Sequence, residues 1–189
     1  EDFQASVKPK LLIRGNSVLR FGASYSVYRD QYLNDQRNSS AMDSYEDTRE
    51  QLSHGNVQYD WLVGTHVLTA GTDLLAQTMA SERLDGGLGS RYGVAFYFQD
   101  EATPLESPRI TFLPGVRFDF DTSYGTHTTP KFALRYDPTD QVVLRASYGQ
   151  GYRAPAFKEL FLYFENPGAG YVVVGNLDLK QLATEKRMD

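Results

Sequence analysis

Three histidines and a lack of cysteine limit the chemistry that this chain can perform. His54, His66 and His127 lie far apart in the sequence, whereas zinc sites gather three or four ligands at short spacings. There is no cysteine, which removes disulfides, thiolate metal sites and cysteine nucleophiles. No Ser-His-Asp spacing, phosphate-binding glycine loop or paired carboxylate stands out. We therefore expect no catalytic residue, no metal and no cofactor, and we do not expect an enzyme.

Two short groups of residues between 152 and 180 contain residue types that can hold a loop in place. The first reads Tyr152-Arg153-Ala154-Pro155 and continues as Phe157-Lys158-Glu159-Leu160-Phe161. The second reads Gly175-Asn176-Leu177-Asp178-Leu179-Lys180. Pro155 fixes the backbone, and the apolar spacing that follows predicts a short helix near 156–164.

Particular side chains in these groups can hold the loop in place. Arg153 has a planar fork that can clamp carboxylates or backbone carbonyls. Gly175 and Asn176 permit a positive φ and a tight return of the chain. We expect both groups to brace a loop against the wall of the protein, and direct ligand contact by Arg153 or Asn176 is the alternative.

The elements that must position these groups are strands, because apolar and polar residues alternate along most of the chain. In residues 17–31, for example, Leu19, Phe21, Ala23, Tyr25 and Val27 share one face. Alternation predicts seven strands, at 17–31, 47–61, 66–78, 91–101, 109–121, 130–137 and 141–150, and a weaker eighth near 3–13. Parallel pairing would need long crossovers, so we expect an antiparallel meander.

The connections between the predicted strands alternate in length. Residues 14–16, 62–65 and 138–140 are tight turns, whereas 32–46 and 79–90 are long and polar; 102–108 is intermediate and 121–128 is short. Short turns on one rim and long loops on the other are typical of outer-membrane barrels, whose strands need only about ten residues each. No run of apolar residues is long enough for a transmembrane helix.

The face opposite the apolar one carries many charges, which are Arg20, Asp30, Glu50, Asp60, Arg117, Asp119, Arg135 and Arg145. Burying them inside a small soluble barrel would be costly, so this face suits a wide lumen. We therefore favour a membrane barrel over a soluble lipid-binding barrel. The formal net charge of −5 argues against a nucleic-acid partner.

In order and at this spacing, the two groups resemble the hallmark region of TonB-dependent outer-membrane receptors. The strand Pro130–Pro138 and the segments Tyr97–Glu101 and Leu113–Asp119 are also similar to that family. Leu177 replaces a usual proline, and residues 181–185 stretch the usual ending of the second group. Residues 65–189 carry the resemblance, and the residues before 65 share only the general sequence pattern of the family.

The resemblance implies a 22-stranded barrel that holds an N-terminal plug. Such receptors bind ferric siderophores, cobalamin or haem, and the TonB complex drives uptake through a box before the plug. On this basis residues 1–189 are expected to be a partial barrel of about 7–9 strands in the bacterial outer membrane, without plug, TonB box or closing strands. The alternative is a complete small outer-membrane barrel of eight strands with a structural or adhesion role.

The substrate that the resemblance favours is a ferric siderophore. Haem receptors of the family carry a histidine between the two groups, and residues 156–174 contain none. Tyr45, Tyr163 and Tyr171 fall in predicted extracellular loops and are candidates to pack against an aromatic ligand. The acidic residues of 43–50 can attract cations, but we favour a solvated loop beside lipopolysaccharide and its divalent ions.

Overall fold

The computed structural model describes residues 1–13, 15–34, 44–84, 86–166, 170–176, 179 and 184–188. These residues form strands β1 (Asp2–Val7), β2 (Lys10–Ile13), β3 (Ser17–Asn34), β4 (Ser44–Val63), β5 (His66–Ser81), β6 (Leu88–Glu106), β7 (Arg109–Asp121), β8 (Gly125–Thr139), β9 (Val142–Tyr152), β10 (Tyr163–Asn166), β11 (Tyr171–Val174) and β12 (Thr184–Met188). The same described residues include one short helix, α1, which spans Phe157–Phe161. The predicted all-β class is confirmed.

The strands from β3 to β9 form one antiparallel meander. A ten-stranded sheet has the order β1-β3-β4-β5-β6-β7-β8-β9-β12, with β2 also paired to β3, and β10 and β11 form a separate two-stranded sheet. From β3 to β9 each strand pairs with the next along the chain. The chain then leaves the sheet after β9 and returns as β12. The two groups at 152–161 and 175–180, together called the brace below, therefore lie in the segment that connects two neighbouring strands.

Several strands are longer than the alternation predicts. β3 continues to Asn34 and β4 already begins at Ser44, so the predicted loop 32–46 is wrong at both ends, and residues 35–43 lie outside the described residues. Likewise β5 and β6 reduce the loop 79–90 to residues 82–87. Each of these added segments is three residues long, too short to show the apolar period that marks a half-buried strand.

The remaining connections also differ in detail from their prediction. β6 extends to Glu106 and shortens the intermediate link to Ser107 and Pro108, and β8 begins at Gly125. The weak strand predicted near 3–13 is two strands, β1 and β2, separated by Lys8 and Pro9. Pro9 has no N–H to give to a ladder, although its carbonyl still accepts a hydrogen bond from the Phe21 amide. The predicted helix 156–164 is shorter, because β10 starts at Tyr163.

One face of the sheet is apolar and exposed. The register places Phe21 beside Val57, and it places Phe96 beside Phe118 on the same face farther along the sheet. Phe96 is 51% exposed and packs edge-on against Phe120, with ring centroids 6.3 Å apart. Large apolar side chains that stay exposed over so many neighbouring strands indicate a surface built for lipid.

The opposite face is polar and carries linked ion pairs. Arg117 bonds to Asp73 from β5 and, at 2.9 Å, to Asp119 of its own strand. Arg91 donates from Nε to Asp121 at 2.7 Å. Pairing of this kind is what allows charged groups to leave bulk water, so several of the charges predicted for the lumen face, among them Arg20, Arg117 and Arg135, are matched within the wall itself.

On this polar face a glycine of β5, Gly71, lies beneath an aromatic ring of β6. The Tyr97 ring lies over Gly71, and its hydroxyl donates to Gln58 Oε1 at 3.2 Å. A Cβ at Gly71 would overlap that ring and lie 2.7 Å from the Val57 carbonyl oxygen. Gly71 therefore makes room for a side chain that lies along the wall.

Among the described residues, no helix has the length and apolar content needed to cross a membrane.

We predict that Gly71→Ala destabilises the protein by about 1–3 kcal/mol, because the added methyl group overpacks the wall beneath Tyr97. The matched control is Gly55→Ala on the apolar face, where the nearest atom to an added Cβ is Leu74 Cβ at 3.9 Å. Thermal unfolding of the whole receptor chain in detergent measures both. Equal melting temperatures for the two variants would contradict this account of Gly71.

Candidate functional site

The first group of the brace docks on the turn between β7 and β8. The Tyr152 ring stacks on His127, with centroids 4.1 Å apart and planes 25° apart. His127 in turn makes a 3.0 Å hydrogen bond from Nε2 to the Tyr124 carbonyl. Tyr152 is therefore fixed against the preceding hairpin at the point where the chain leaves the sheet.

Pro155 is the best buried residue of the brace, with less than 2% of its surface exposed. Its carbonyl accepts a hydrogen bond from the Tyr124 hydroxyl. Tyr124 is 6% exposed and lies in a turn outside the wall, and Arg91 sits over its ring at 4.6 Å from the centroid. Burial raises the pKa of Tyr124 above its ordinary value, so the hydroxyl stays protonated and remains a donor.

The Asp121 carboxylate organises the same turn. Its Oδ1 accepts hydrogen bonds from the amides of Ser123 and Tyr124, at 2.8 and 3.3 Å. Its Oδ2 receives Arg91. An aspartate that accepts two main-chain N–H groups is a common way to fix a tight turn, and here it also positions Arg91 over Tyr124.

The Glu159 side chain caps the start of the short helix and ties it to Arg153. One carboxylate oxygen accepts from Arg153 Nη2 at 2.8 Å, and the other accepts from the Ala156 amide at 2.7 Å. The Glu159 carbonyl accepts from the Asn176 amide at 2.9 Å, which ties the second group to the first. The Arg153 side chain is 68% exposed, so its ion pair contributes little to stability, and most of its surface faces the solvent.

A small apolar cluster holds the helix against the wall. Phe157, Met79 and Leu84 are each at most 5% exposed, and Phe161 packs against them. An added Cβ at Gly89 would lie 3.1 Å from the Phe157 ring, so a glycine in β6 makes room for that ring. Burying aromatic and aliphatic side chains in this way is the main source of binding energy that the brace has available.

Gly175 allows the second group to approach the first. Its amide donates to the Leu162 carbonyl at 2.6 Å, and a Cβ there would lie 2.6 Å from the Leu160 carbonyl carbon. The positive φ expected here is wrong, since among the described residues the glycines with positive φ are Gly15, Gly64, Gly86, Gly87, Gly125 and Gly170. Close backbone contact, rather than backbone conformation, is what requires glycine at this position.

The other predicted residues have different placements. Ala154 is half-buried and Leu160 is 4% exposed. Leu179 is half-buried, and its amide donates to the Asn176 carbonyl at 3.3 Å. Asp178, Lys180 and the side chain of Lys158 lie outside the described residues.

The three candidate ligand-contact tyrosines do not form one site. Tyr45 is in β4 and not in a loop as expected, and its hydroxyl accepts from Gln31 Nε2 at 2.6 Å. Tyr163 and Tyr171 belong to the β10–β11 hairpin and are 48% and 49% exposed. In its register Tyr163 faces Val174, and Tyr171 faces Asn166. The two tyrosines therefore project from opposite faces of the hairpin.

The hairpin itself is attached to the wall through main-chain contacts. Leu162 forms a bridge with Leu84 in the β5–β6 loop, and the Tyr163 amide donates to the Arg83 carbonyl at 2.6 Å. The docking residues that the motifs missed are in earlier strands and turns, namely Met79, Leu84, Gly89, Arg91, Tyr124 and His127. Only the resolved topology brings them to the brace.

Within the described residues, no group of three or more histidine, aspartate or glutamate side chains can hold a metal ion.

Comparison with known proteins decides the family. The family described as TonB dependent receptor-like, beta-barrel matches residues 3–183. The chain belongs to this family. Its place is therefore the bacterial outer membrane. The predicted family, fold class and location are all confirmed.

Relatives and solved structures agree with this assignment. The iron-regulated outer membrane virulence protein of Vibrio cholerae serotype O1 is 26% identical over 123 residues, which is 62% of this chain and 18% of the relative. A ferric enterobactin receptor mutant from Pseudomonas aeruginosa has a TM-score of 0.68 at 19% identity, covering 86% of this chain and 27% of the other. The siderophore receptor PirA from Acinetobacter baumannii has a TM-score of 0.68 at 15% identity, covering 95% and 30%. The chain thus spans less than a third of each of these proteins.

We predict that Phe157→Ala loosens the brace, because it empties the contact with Met79 and Leu84; Phe→Ala in a packed core costs about 3–5 kcal/mol. Limited proteolysis of the whole receptor in detergent should then cut within residues 152–166 at least several times faster. Val174→Ala, at a 66% exposed position of the neighbouring hairpin, serves as the control and should cut at the original rate. A Phe157→Ala receptor as resistant as the parent would contradict the anchoring role.

Proposed function

We propose that this chain is part of the barrel of a receptor that takes up a ferric siderophore across the outer membrane with energy from the TonB complex. The observation that carries the proposal is its likeness, over most of its length, to solved siderophore receptors. The iron-regulated expression named for the Vibrio cholerae relative supports the same nutrient. Uptake is a transport activity, and we propose no enzymatic step.

The brace has a structural role in this proposal. Residues 152–162 fill the space between the end of β9 and the β5–β6 loop, and they carry the β10–β11 hairpin. Pro155 and Leu160 act through burial, Tyr152 acts through its stacking on His127, and Glu159 and Gly175 act through main-chain contacts. We propose that these residues hold the hairpin in place and that they do not themselves touch the ligand. The exposed Arg153 is the exception, because its guanidinium can reach an anionic chelate.

Further parts of the receptor are needed for transport. We propose that a plug occupies the polar side of the sheet and that the TonB complex pulls on a box preceding that plug, both being supplied by sequence outside these 189 residues. The lumen face suits a plug because its charges are paired across strands, as in Arg117 with Asp73. We also propose that the apolar face contacts outer-membrane phospholipid and lipopolysaccharide.

The ligand class is tested by direct binding. The whole receptor, purified in detergent, is titrated with a ferric catecholate, a ferric hydroxamate, haem and cobalamin while tyrosine and tryptophan fluorescence is followed. We expect saturable quenching at micromolar or lower concentration by one of the ferric siderophores. Saturation by haem or cobalamin alone would overturn the siderophore proposal, as would quenching by none of the four.

The hairpin geometry makes a sharper prediction for the two tyrosines. Since Tyr163 and Tyr171 face opposite ways, a ligand lying on one face of the hairpin contacts only one of them. We expect Tyr163→Leu or Tyr171→Leu, but not both, to weaken siderophore binding by about threefold to tenfold, which corresponds to the loss of roughly 0.5–1.5 kcal/mol of ring stacking.

Tyr92→Leu provides the matched control for these variants, because Tyr92 is 55% exposed on the apolar face and cannot reach a ligand at the rim. Its affinity should equal that of the parent receptor. Equal losses at Tyr163 and Tyr171, or no loss at either, would show that the ligand does not lie on one face of the hairpin.

A further inference from the structure

The β10–β11 hairpin has one attached edge and one free edge. On the β10 side, the Tyr163 amide donates to the Arg83 carbonyl at 2.6 Å and Leu162 forms a bridge with Leu84, so this edge lies against the β5–β6 loop. On the other side, β11 pairs with β10 alone among the residues that the structure describes. The two-stranded sheet therefore ends there in an unpaired strand.

The hydrogen-bond pattern of the hairpin identifies the main-chain groups on its free edge. The Gly175 amide donates to the Leu162 carbonyl at 2.6 Å, so these two residues form a hydrogen-bonded pair. Hydrogen-bonded and non-hydrogen-bonded pairs alternate along an antiparallel ladder, which places Val172 and Val174 in non-hydrogen-bonded pairs. Their N–H and C=O groups consequently point away from β10. Tyr163, which is opposite Val174, has its amide directed outward in the same way.

The side chains of β11 favour a further strand beside it. The strand reads Tyr171-Val172-Val173-Val174, and aromatic and β-branched residues are enriched in strands. The three valines are 48%, 41% and 66% exposed. Since successive side chains point to opposite faces, apolar surface flanks the free main-chain groups on both sides. An exposed edge of this composition is a template for pairing with another strand.

Such an edge needs a permanent cover. Natural proteins protect exposed edge strands with charged side chains, prolines or a covering segment, and β11 contains neither a charged residue nor a proline. A segment of the same receptor is a better permanent cover than a transient partner, because a covalent connection keeps it at a high effective concentration. The chemistry of the edge thus calls for an extended segment of the receptor itself.

The connections that the structure describes at this end of the sheet do not supply that segment. Residues 82–87 already bond to β10, and residues 122–124 form only a tight turn. After β11 the chain turns, since the Leu179 amide donates to the Asn176 carbonyl at 3.3 Å. Because this chain covers only 27% and 30% of two similar solved receptors, most of the loops at the same rim belong to the rest of the receptor.

We propose that the free edge of β11 pairs with an extended segment of another loop of the receptor, supplied by sequence outside these 189 residues. The segment adds a third strand to the hairpin, and its main chain bonds to the outward N–H and C=O groups of Val172 and Val174. This inference goes beyond the proposed function and does not depend on the ligand class. Pairing at the edge leaves both faces of the hairpin, with Tyr163 and Tyr171, open to a ligand.

Hydrogen exchange of main-chain amides in the whole receptor, in detergent and without siderophore, tests the pairing. Val173, whose amide points to β10 by the same alternation, is the internal reference, and fragmentation of the labelled peptides resolves it from Val172 and Val174. We expect the two valines on the edge to exchange within about tenfold of the rate at Val173, because all three amides are then hydrogen-bonded. Faster exchange at the edge, or rapid exchange at all three, would overturn the proposal.

A matched pair of variants tests the main-chain groups directly. Val172→Pro removes one outward N–H and no hydrogen bond within the hairpin, and proline is tolerated at such edge positions. Val172→Thr keeps both the N–H and the β-branched shape. We expect Val172→Pro to accelerate exchange at Val174 by at least about tenfold, and we expect Val172→Thr to match the parent. Equal exchange at Val174 in the two variants would show that the outward groups of β11 make no such contact.

Photo-crosslinking identifies the covering segment even where a proline variant loosens the hairpin. Val172 is replaced by p-benzoylphenylalanine in the whole receptor, the outer membranes are irradiated, and the cross-linked peptides are mapped by mass spectrometry. We expect a cross-link within one polypeptide to a loop outside residues 1–189. A cross-link to a second receptor chain, one to another part of residues 1–189, or none would overturn the proposal. All of these measurements omit the siderophore, so failure of the proposed function would leave them unchanged.

Discussion

The backbone register of the meander is the constraint on which the rest of the structure depends. Adjacent side chains along a strand point to opposite faces, so a slip of one residue would send Phe96 into the lumen and Tyr97 into lipid. From β3 to β9 the register is held by antiparallel ladders that shift at only two places, between Ala102 and Leu105 in β6 and between Tyr136 and Thr139 in β8. In a lipid environment these ladders also satisfy main-chain groups that water cannot reach. The ladder thus fixes at once which residues meet lipid and which meet the lumen.

The side-chain contacts of the lumen face depend on this register. Because neighbouring positions stay aligned, a side chain of one strand can lie over a glycine of the next, as Tyr97 does over Gly71 and Lys131 does over Gly115. Ion pairs across strands form in the same way, with Arg117 reaching Asp73 two strands away. Charges that lie along the wall in pairs leave the lumen open, and they remain solvated enough to avoid the full cost of burial.

Sequence patterns predict the strands where apolar and polar residues alternate, and they miss the strand segments and contacts where no such alternation exists. The apolar alternation around Phe118 identifies a strand because one face must be apolar to meet lipid. The ends of β3 and β4 beyond the predicted strands are too short to show this period, so their pairing, such as Leu33 with Tyr45, is visible only in the structure. The brace shows a similar division, since Arg153 and Pro155 stand out in sequence. Their partners do not, because Tyr124 lies some thirty residues away, and no local pattern encodes a contact of that range.

The brace also explains how a short hairpin outside the main sheet has a defined orientation. Short hairpins are marginally stable by themselves, so β10 and β11 need support from outside. Leu162 joins the hairpin to the β5–β6 loop, and Phe157, only five residues earlier, is buried beside Leu84 of that same loop. The main-chain attachment and the apolar anchor thus act on one loop of the wall. Because that loop connects strands fixed by the register, the orientation of the hairpin is set by the sheet, and its two tyrosines point in opposite directions.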